Sequence, residues 1–365
     1  VAYPCAEESA LLEVSRLHTV YPTARGMVQA VRNVSFAVSR GEIVGIVGES
    51  GCGKSALLLS IMGLLPSPGR IVQGQILFDG KNLVDLPEPA MRSVRGREIA
   101  MVFQDPMTAL NPAHRVGEQI AESLRVHGVV PESSQGDGSQ GRGIVGLIRR
   151  RLRRRTLFAA EEREYVIELM SRVGIPLPEH RHLEYPHQFS GGMQQRIMIA
   201  IALACRPKLL LADEPTTALD VTIQAQVLDL IEKINESTGT AVILVTHDLA
   251  VAADFCDSVA VMYAGQIVER GPTEAVMEDS AHPYTRGLLR SMPVLGERKP
   301  LRPIMGEVPD LANLGPGCSF APRCDLSEEI CFEKAPDVSM VAQGHEVRCH
   351  LHSSGGGSFH AKRPR

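Results

Sequence analysis

No uninterrupted apolar run in this 365-residue chain reaches the length of a membrane-spanning helix, which excludes a helical span of its own. No charged-plus-apolar leader is visible at the start. A cytoplasmic chain is expected from these two absences, with any hold on a membrane borrowed from partners. Charge of one sign is not in excess: the net charge is −4, which argues against a general nucleic-acid binder. Sustained heptads are missing, so a long coiled-coil insert is excluded. Short C-x-x-C pairs are missing too, although the chain holds 8 cysteines. In a cytoplasmic protein those cysteines do not read as disulfides. What remains is 44% hydrophobic and 22% charged, the balance of a globular protein with one large or two modest domains.

The most informative stretch is Gly48-Glu49-Ser50-Gly51-Cys52-Gly53-Lys54-Ser55, which fits G-x-x-x-x-G-K-[ST]. The apolar run 42–47 before it reads as a buried parallel strand. Leu57, Leu58, Ile61, Leu64 and Leu65 follow at helical spacing. A glycine-rich turn between such elements lets successive N–H groups face phosphate oxygens, and the helix adds its positive end. Residues Ser50 through Ala56 are the expected phosphate cradle, with Lys54 on the β- and γ-phosphates and Ser55 on Mg²⁺. A chance turn would not carry this strand–loop–helix context. Further on, Leu209–Ala212 reads as a second buried strand. Asp213 at its end suits Mg²⁺ through water, and Glu214 beside it suits the polarising of an attacking water.

Together with these elements, Ser190-Gly191-Gly192 with Gln195-Arg196 resembles the signature of the ABC ATPases. Pro215–Asp220 resembles their D-loop, Thr246-His247-Asp248 their switch loop, and Val102-Phe103-Gln104-Asp105 their Q-loop. The likeness spans roughly 11–271. Tyr185–Met193, Ala212–Thr222, Val261–Gly265 and His282–Leu289 are similar to the ATPases of oligopeptide and dipeptide importers. Phe189 and Met193 replace the Leu and Gln more usual in the broader family, a departure normal in the importer group.

The resemblance implies an α/β P-loop NTPase fold. An ABC nucleotide-binding domain over 1–280 would combine a parallel sheet core, an antiparallel β subdomain and an α-helical subdomain at about 105–205. A small loop-rich cysteine domain would follow over 281–365. For the chain's own ATP it implies Tyr21 against adenine, with His18 a weaker candidate. Ser50, Gly51, Cys52, Gly53, Lys54, Ser55 and Ala56 would hold phosphate, with Gln104, Asp213, Glu214 and His247. Ser55, Gln104 and Asp213 would serve Mg²⁺, and Glu214, His247 and Gln104 catalysis. Ser190, Gly191, Gly192, Gln194 and Asp220 would act on the ATP of a second ATPase subunit. The other implied partners are two membrane permeases and an external peptide-binding protein, with the chain at the cytoplasmic face of the membrane. Another small solute as cargo (glutathione, nickel, a sugar) keeps the same machine. A soluble ABC ATPase usually has two nucleotide domains or a coiled coil, whereas here there is one phosphate loop and one signature.

Two stretches stand apart. The segment at about 131–161 reads as an insert, Gly/Ser-rich and then basic at Arg149–Arg155. It suits either a solvated face or anionic lipid headgroups. The tail holds Cys318, Cys324, Cys331 and Cys349, separated by five, six and seventeen residues. Clustered thiols point to zinc or an iron–sulfur cluster, or stay free. The family resemblance implies a 4Fe–4S cluster on those four. A tail that senses redox state and controls the ATPase is a further reading. His345, His350 and His352 read as exposed polar residues, Cys205 and Cys256 as small buried hydrophobes, and Cys52 as a neutral small residue.

Overall fold

The computed structural model describes residues 10–24, 26–129, 160–217, 219–292 and 303–352. The basic run Arg149–Arg155 and nearly all of the insert lie outside them. The chain divides into two compact units, one from 1–91 with 241–365 and one from 92–240.

The first unit opens with strands β1 (Leu12–Thr23) and β2 (Gly26–Val38), then β3 (Ile43–Val47), helix α1 (Lys54–Met62), β4 (Arg70–Phe78) and the short β5 (Lys81–Asn82). An antiparallel sheet forms in the order β2-β1-β4-β5. Its pleat puts Val34, Phe36 and Val38 inward and Ser35 outward, the period-two alternation of a half-buried strand. β3, by contrast, is buried on both faces, which is why it reads as a continuous apolar run.

The second unit contributes β6 (Ile99–Val102), α2 (Val116–His127), a helix over 160–172, α3 (Gly191–Leu203), β7 (Leu209–Asp213) and α4 (Val221–Thr238). β6 and β7 are parallel and pair Ile99 with Leu209 through Val102 with Ala212. Arg125 ties α2 to the helix over 160–172 through Glu162, its Nε 2.9 Å from Oε2. Asp220 starts α4 by accepting from the N–H groups of Thr222 and Ile223 at 3.1 and 3.0 Å.

The chain then returns to the first unit as β8 (Ala241–Thr246), β9 (Ser258–Tyr263), β10 (Gln266–Pro272), α5 (Pro283–Arg290), β11 (Ser339–Ala342) and β12 (His345–Val347). β3 lies parallel to both β8 and β9, the parallel core that the sequence leads one to expect. The run does not stay parallel. Ala264 and Gly265, at φ 45° and 81°, make the two-residue turn that folds β10 back antiparallel on β9. β12 and β11 continue antiparallel beyond β10. The tail expected to be loop-rich therefore also supplies two strands to this sheet. Ala281, Val347 and Cys349 pack behind them with Val341 and Leu351. Among the described residues no helix is long and apolar enough to cross a membrane.

Candidate functional site: a phosphate loop and a carboxylate at two strand ends

In the first unit the parallel register sets Val47 beside Thr246, so the loop after β3 and the residue His247 after β8 leave the same carboxyl edge of the sheet. That edge is where open α/β sheets bind ligands. Gly53 closes the loop at φ 108°, and a Cβ there would lie 2.1 Å from the carbonyl oxygen of Ala30. Only glycine fits. Lys54, 4% exposed, curls its ammonium into the loop and donates to the carbonyls of Gly48 and Glu49 at 2.8 and 3.1 Å. Ser50, Gly51 and Ser55 are exposed, and Gly53 and Ala56 half-buried. Cys52 is fully buried, and burial pushes its thiol up, which keeps it neutral. Its carbonyl accepts from Gly265 N–H at 2.8 Å. Tyr21 is half-buried on β1, and burial raises its phenol. On the same strand His18 is lowered by burial and by nearby Arg32.

The second unit brings Gln104 and Glu214 together. They follow the paired strands β6 and β7, and Gln104 Nε2 donates to Glu214 Oε2 at 3.3 Å. Thr217 Oγ1 donates to the same oxygen at 2.9 Å. Thr217 is not among the residues that the sequence singles out; its spacing of three residues from Glu214 within one turn is the signal that points to it. Glu214 has φ 46°, in the left-handed region that costs a side chain about 1 kcal/mol. Asp213, at the end of β7, is buried.

Ser190 stands in extended conformation just before α3, and its side chain makes no capping bond. A Cβ on Gly191 would meet nothing within 4 Å, whereas one on Gly192 would lie 2.6 Å from Ile223 Cγ2. Gln194, expected on the ATP of a second subunit, is turned inward here. It is 7% exposed, and its Nε2 donates to the carbonyls of Pro186 and Phe189 at 2.8 and 3.2 Å. It braces the signature turn from inside, because those carbonyls point inward with no strand to receive them. Phe189 and Met193 meet at Arg181, whose guanidinium lies 5.4 Å from the Phe189 ring and donates to Met193 Sδ at 3.1 Å. Their departure from the commoner residues thus has a local partner.

In the tail, Cys318, Cys324, Cys331 and Cys349 line one cavity of about 20 Å³, together with His282 and Phe320. Burial raises the thiols of Cys318 and Cys324, and pushes Cys349 up to about 11. They do not close on a single ion: among the described residues no three His, Cys, Asp or Glu side chains are grouped to hold one. Arg32 stands near Cys318 and donates to Ser319 Oγ at 2.7 Å. Burial and the neighbouring Arg348 lower its guanidinium to about 10. His345 is not exposed, as expected from its type, but 2% exposed against buried Glu269 at 2.8 Å. It sits in β12, which pairs with the strand that carries Glu269. Cys205 and Cys256 are buried as expected.

A buried strand, a glycine turn with its lysine curled inward and a helix launched from that turn define a P-loop nucleotide-binding protein. A family model described as "ABC transporter" matches residues 31–217, and one described as "Oligopeptide/dipeptide transporter, C-terminal region" matches 268–331. The oligopeptide transport ATP-binding protein OppD of Bacillus subtilis is 48% identical over 93% of this chain and 88% of its own length. The dipeptide transport ATP-binding protein DppD of the same organism is 46% identical over 93% and 94%. Among solved structures, the dimeric, post-hydrolysis ATP-binding cassette MJ0796 bound to ADP and Pi has a TM-score of 0.57 at 28% identity, covering 72% of this chain and 98% of its own. The chain belongs to the ABC transporter family, among the ATP-binding subunits of peptide transporters.

Proposed function

We infer that this chain is the ATP-hydrolysing subunit of an ABC importer for peptides. The observation that carries the reading is Glu214 at φ 46°, held at one carboxylate oxygen by Gln104 and Thr217, an arrangement that suits a base polarising water. The names of its relatives support the transport half: oligopeptide and dipeptide transport ATP-binding proteins.

In this reading Lys54 and the N–H groups of Ser50 to Ala56 bind the phosphates, and Tyr21 stacks on the base. Glu214 takes a proton from the attacking water, Gln104 orients that carboxylate, and His247 contacts the γ-phosphate. Ser55, Asp213 and Gln104 would be the Mg²⁺ ligands, hard oxygen donors that suit that ion's preference. When bound, Mg²⁺ neutralises charge that builds on the phosphates. Ser190, Gly191 and Gly192 serve the ATP of a second ATPase subunit, and Asp220 links the two sites. Support comes from the open Gly191 and the uncapped Ser190 hydroxyl, and from the dimeric state of the MJ0796 cassette. ATP then bridges two subunits and favours their closure, and hydrolysis releases it.

Two permeases and an external peptide-binding protein complete the machine, with this chain at the cytoplasmic membrane face. The four tail thiols are suited to a 4Fe–4S cluster, which ligates through four cysteines. A cluster spreads its thiolates wider than a single ion does, which agrees with four sulfurs lining one cavity but no ion-sized group. The two nearby guanidiniums, Arg32 and Arg348, suit an anionic occupant. When bound, the cluster would cross-link the tail. The direct test of the ATPase reading is Glu214→Gln, expected to bind ATP and lose most turnover; near-normal hydrolysis would remove Glu214 from its role.

A further inference from the structure

Glu49 is the second residue of the phosphate loop, and three side chains grip it, at its carboxylate, its backbone N–H and its carbonyl. Its carboxylate meets the guanidinium fork of Arg323, with Nη1 2.7 Å from Oε2 and Nη2 3.0 Å from Oε1. Its backbone N–H donates to the hydroxyl of Tyr284 at 3.0 Å. Its carbonyl accepts from Lys54 Nζ at 3.1 Å. The first two partners belong to the C-terminal tail, 274 and 235 residues away in sequence. The third is the lysine that the loop exists to present.

Neither tail residue is loosely placed. The Arg323 side chain is 5% exposed, its Nε donates to Met305 O at 3.0 Å, and its Nη1 donates to the Tyr263 hydroxyl at 3.3 Å. The guanidinium also lies 5.8 Å from the Tyr263 ring centre. Tyr284 is fully buried, 4.6 Å from the Tyr263 ring and 5.4 Å from Phe320. A loop containing Gly48, Gly51 and Gly53 has little stiffness of its own. A bidentate, mostly buried Arg–carboxylate pair fixes direction as well as distance. This is therefore unlike a surface ion pair, which contributes little.

We propose that Arg323 and Tyr284 are positioning residues of the ATP site: they hold Glu49, and through its carbonyl they set where Lys54 presents its ammonium. The turn that carries Arg323 lies between Cys318 and Cys324, so the cysteine-bearing tail is built into the phosphate loop's scaffold. The inference rests on the loop's reading as the ATP phosphate site.

The test uses the full chain in its assembled transporter, with four single variants, Arg323→Gln, Arg323→Lys, Glu49→Gln and Tyr284→Phe, and the double variant Arg323→Gln/Glu49→Gln. ATP affinity is read by titration with a fluorescent ATP analogue, kcat and KM by phosphate release, and folding by a nucleotide-free thermal melt. Arg323→Gln and Glu49→Gln should each raise KM and Kd about tenfold, with kcat at saturating ATP changed far less, since a misplaced lysine weakens binding first. The double variant should be no worse than the poorer single, because both break one contact. Arg323→Lys should recover part of the loss, and Tyr284→Phe, which keeps the ring, should weaken binding about threefold. ATP affinity within about twofold of the parent in both Arg323→Gln and Tyr284→Phe, with a lowered melt, overturns the proposal and leaves a structural tie. So does multiplication of the two single effects. If Arg323→Gln fails to fold, Tyr284→Phe decides alone. Failure of the unaltered chain to bind the analogue would instead remove the ATP reading beneath the proposal.

Discussion

Replacing Thr217 with valine removes one hydroxyl from beside Glu214 and leaves the side chain's volume in place. That hydroxyl donates to Oε2 at 2.9 Å, a shorter bond than the one from Gln104 at 3.3 Å. A hydrogen bond to a charged group contributes about 1.5–3 kcal/mol. Glu214 is half-buried, so the lower end applies. Glu214 also sits at φ 46°, a conformation that needs such contacts to hold it. A loss of about 1.5 kcal/mol from the orientation of the base corresponds to about a tenfold fall in kcat. Because the hydroxyl touches the carboxylate and not the phosphate loop, KM for ATP should stay within about twofold. The assay is phosphate release from the assembled transporter at saturating and limiting ATP. Thr217→Ser, which restores the hydroxyl, should return most of the rate. A Thr217→Val variant with unchanged kcat, or one whose whole loss lies in KM, would refute this account of how Glu214 is held.

Other outcomes follow from the same geometry. Gly53→Ala would push a methyl to 2.1 Å from the Ala30 carbonyl at φ 108°, so nucleotide titration should show ATP binding reduced by at least about a hundredfold while the antiparallel sheet still melts cooperatively. His282 is buried and its imidazole is pushed down to about 3 by burial first, then by His352 and Arg286. The unfolded chain therefore takes up a proton below about pH 6.5 that the folded one refuses, so this contribution is whole above that pH and lost as pH falls toward 3. From pH 7 to pH 5 it amounts to about 2 kcal/mol, and denaturant melts of His282→Gln should show a correspondingly flatter pH slope. Anaerobic purification should yield roughly four irons per chain with a visible absorption band, both lost in Cys324→Ser; zinc, or no metal, would end the cluster reading.

The parts legible in the sequence are those whose signal is local. β3 and the phosphate loop were readable because a short apolar run that ends at a glycine has few alternatives when it is buried on both faces. The strand carrying Asp213 was readable because it too is a short apolar run. β11 and β12 were not, since Ser-Met-Val-Ala and His-Glu-Val are too short and mixed to show a period. Their pairing depends on β10, some 70 residues earlier in the chain. The burial of His345 and the inward turn of Gln194 were hidden likewise, because each is decided by a partner: Glu269 for one, two loop carbonyls for the other. The grip of Arg323 on Glu49 spans 274 residues and leaves no trace in either local sequence. Gln104 and Glu214 are a middle case. The chemistry of each was readable, but their meeting follows from the parallel register of the strands that precede them.

The central claim is that ATP hydrolysis in this chain is tied to the entry of peptides. The measurement that tests it is the ATPase rate of the chain reconstituted with its permeases in lipid vesicles, with and without peptide-loaded binding protein on the opposite face. The account predicts a rate that rises when the binding protein carries peptide, and no such rise in the Glu214→Gln variant. A rate indifferent to peptide in the fully assembled transporter would contradict it.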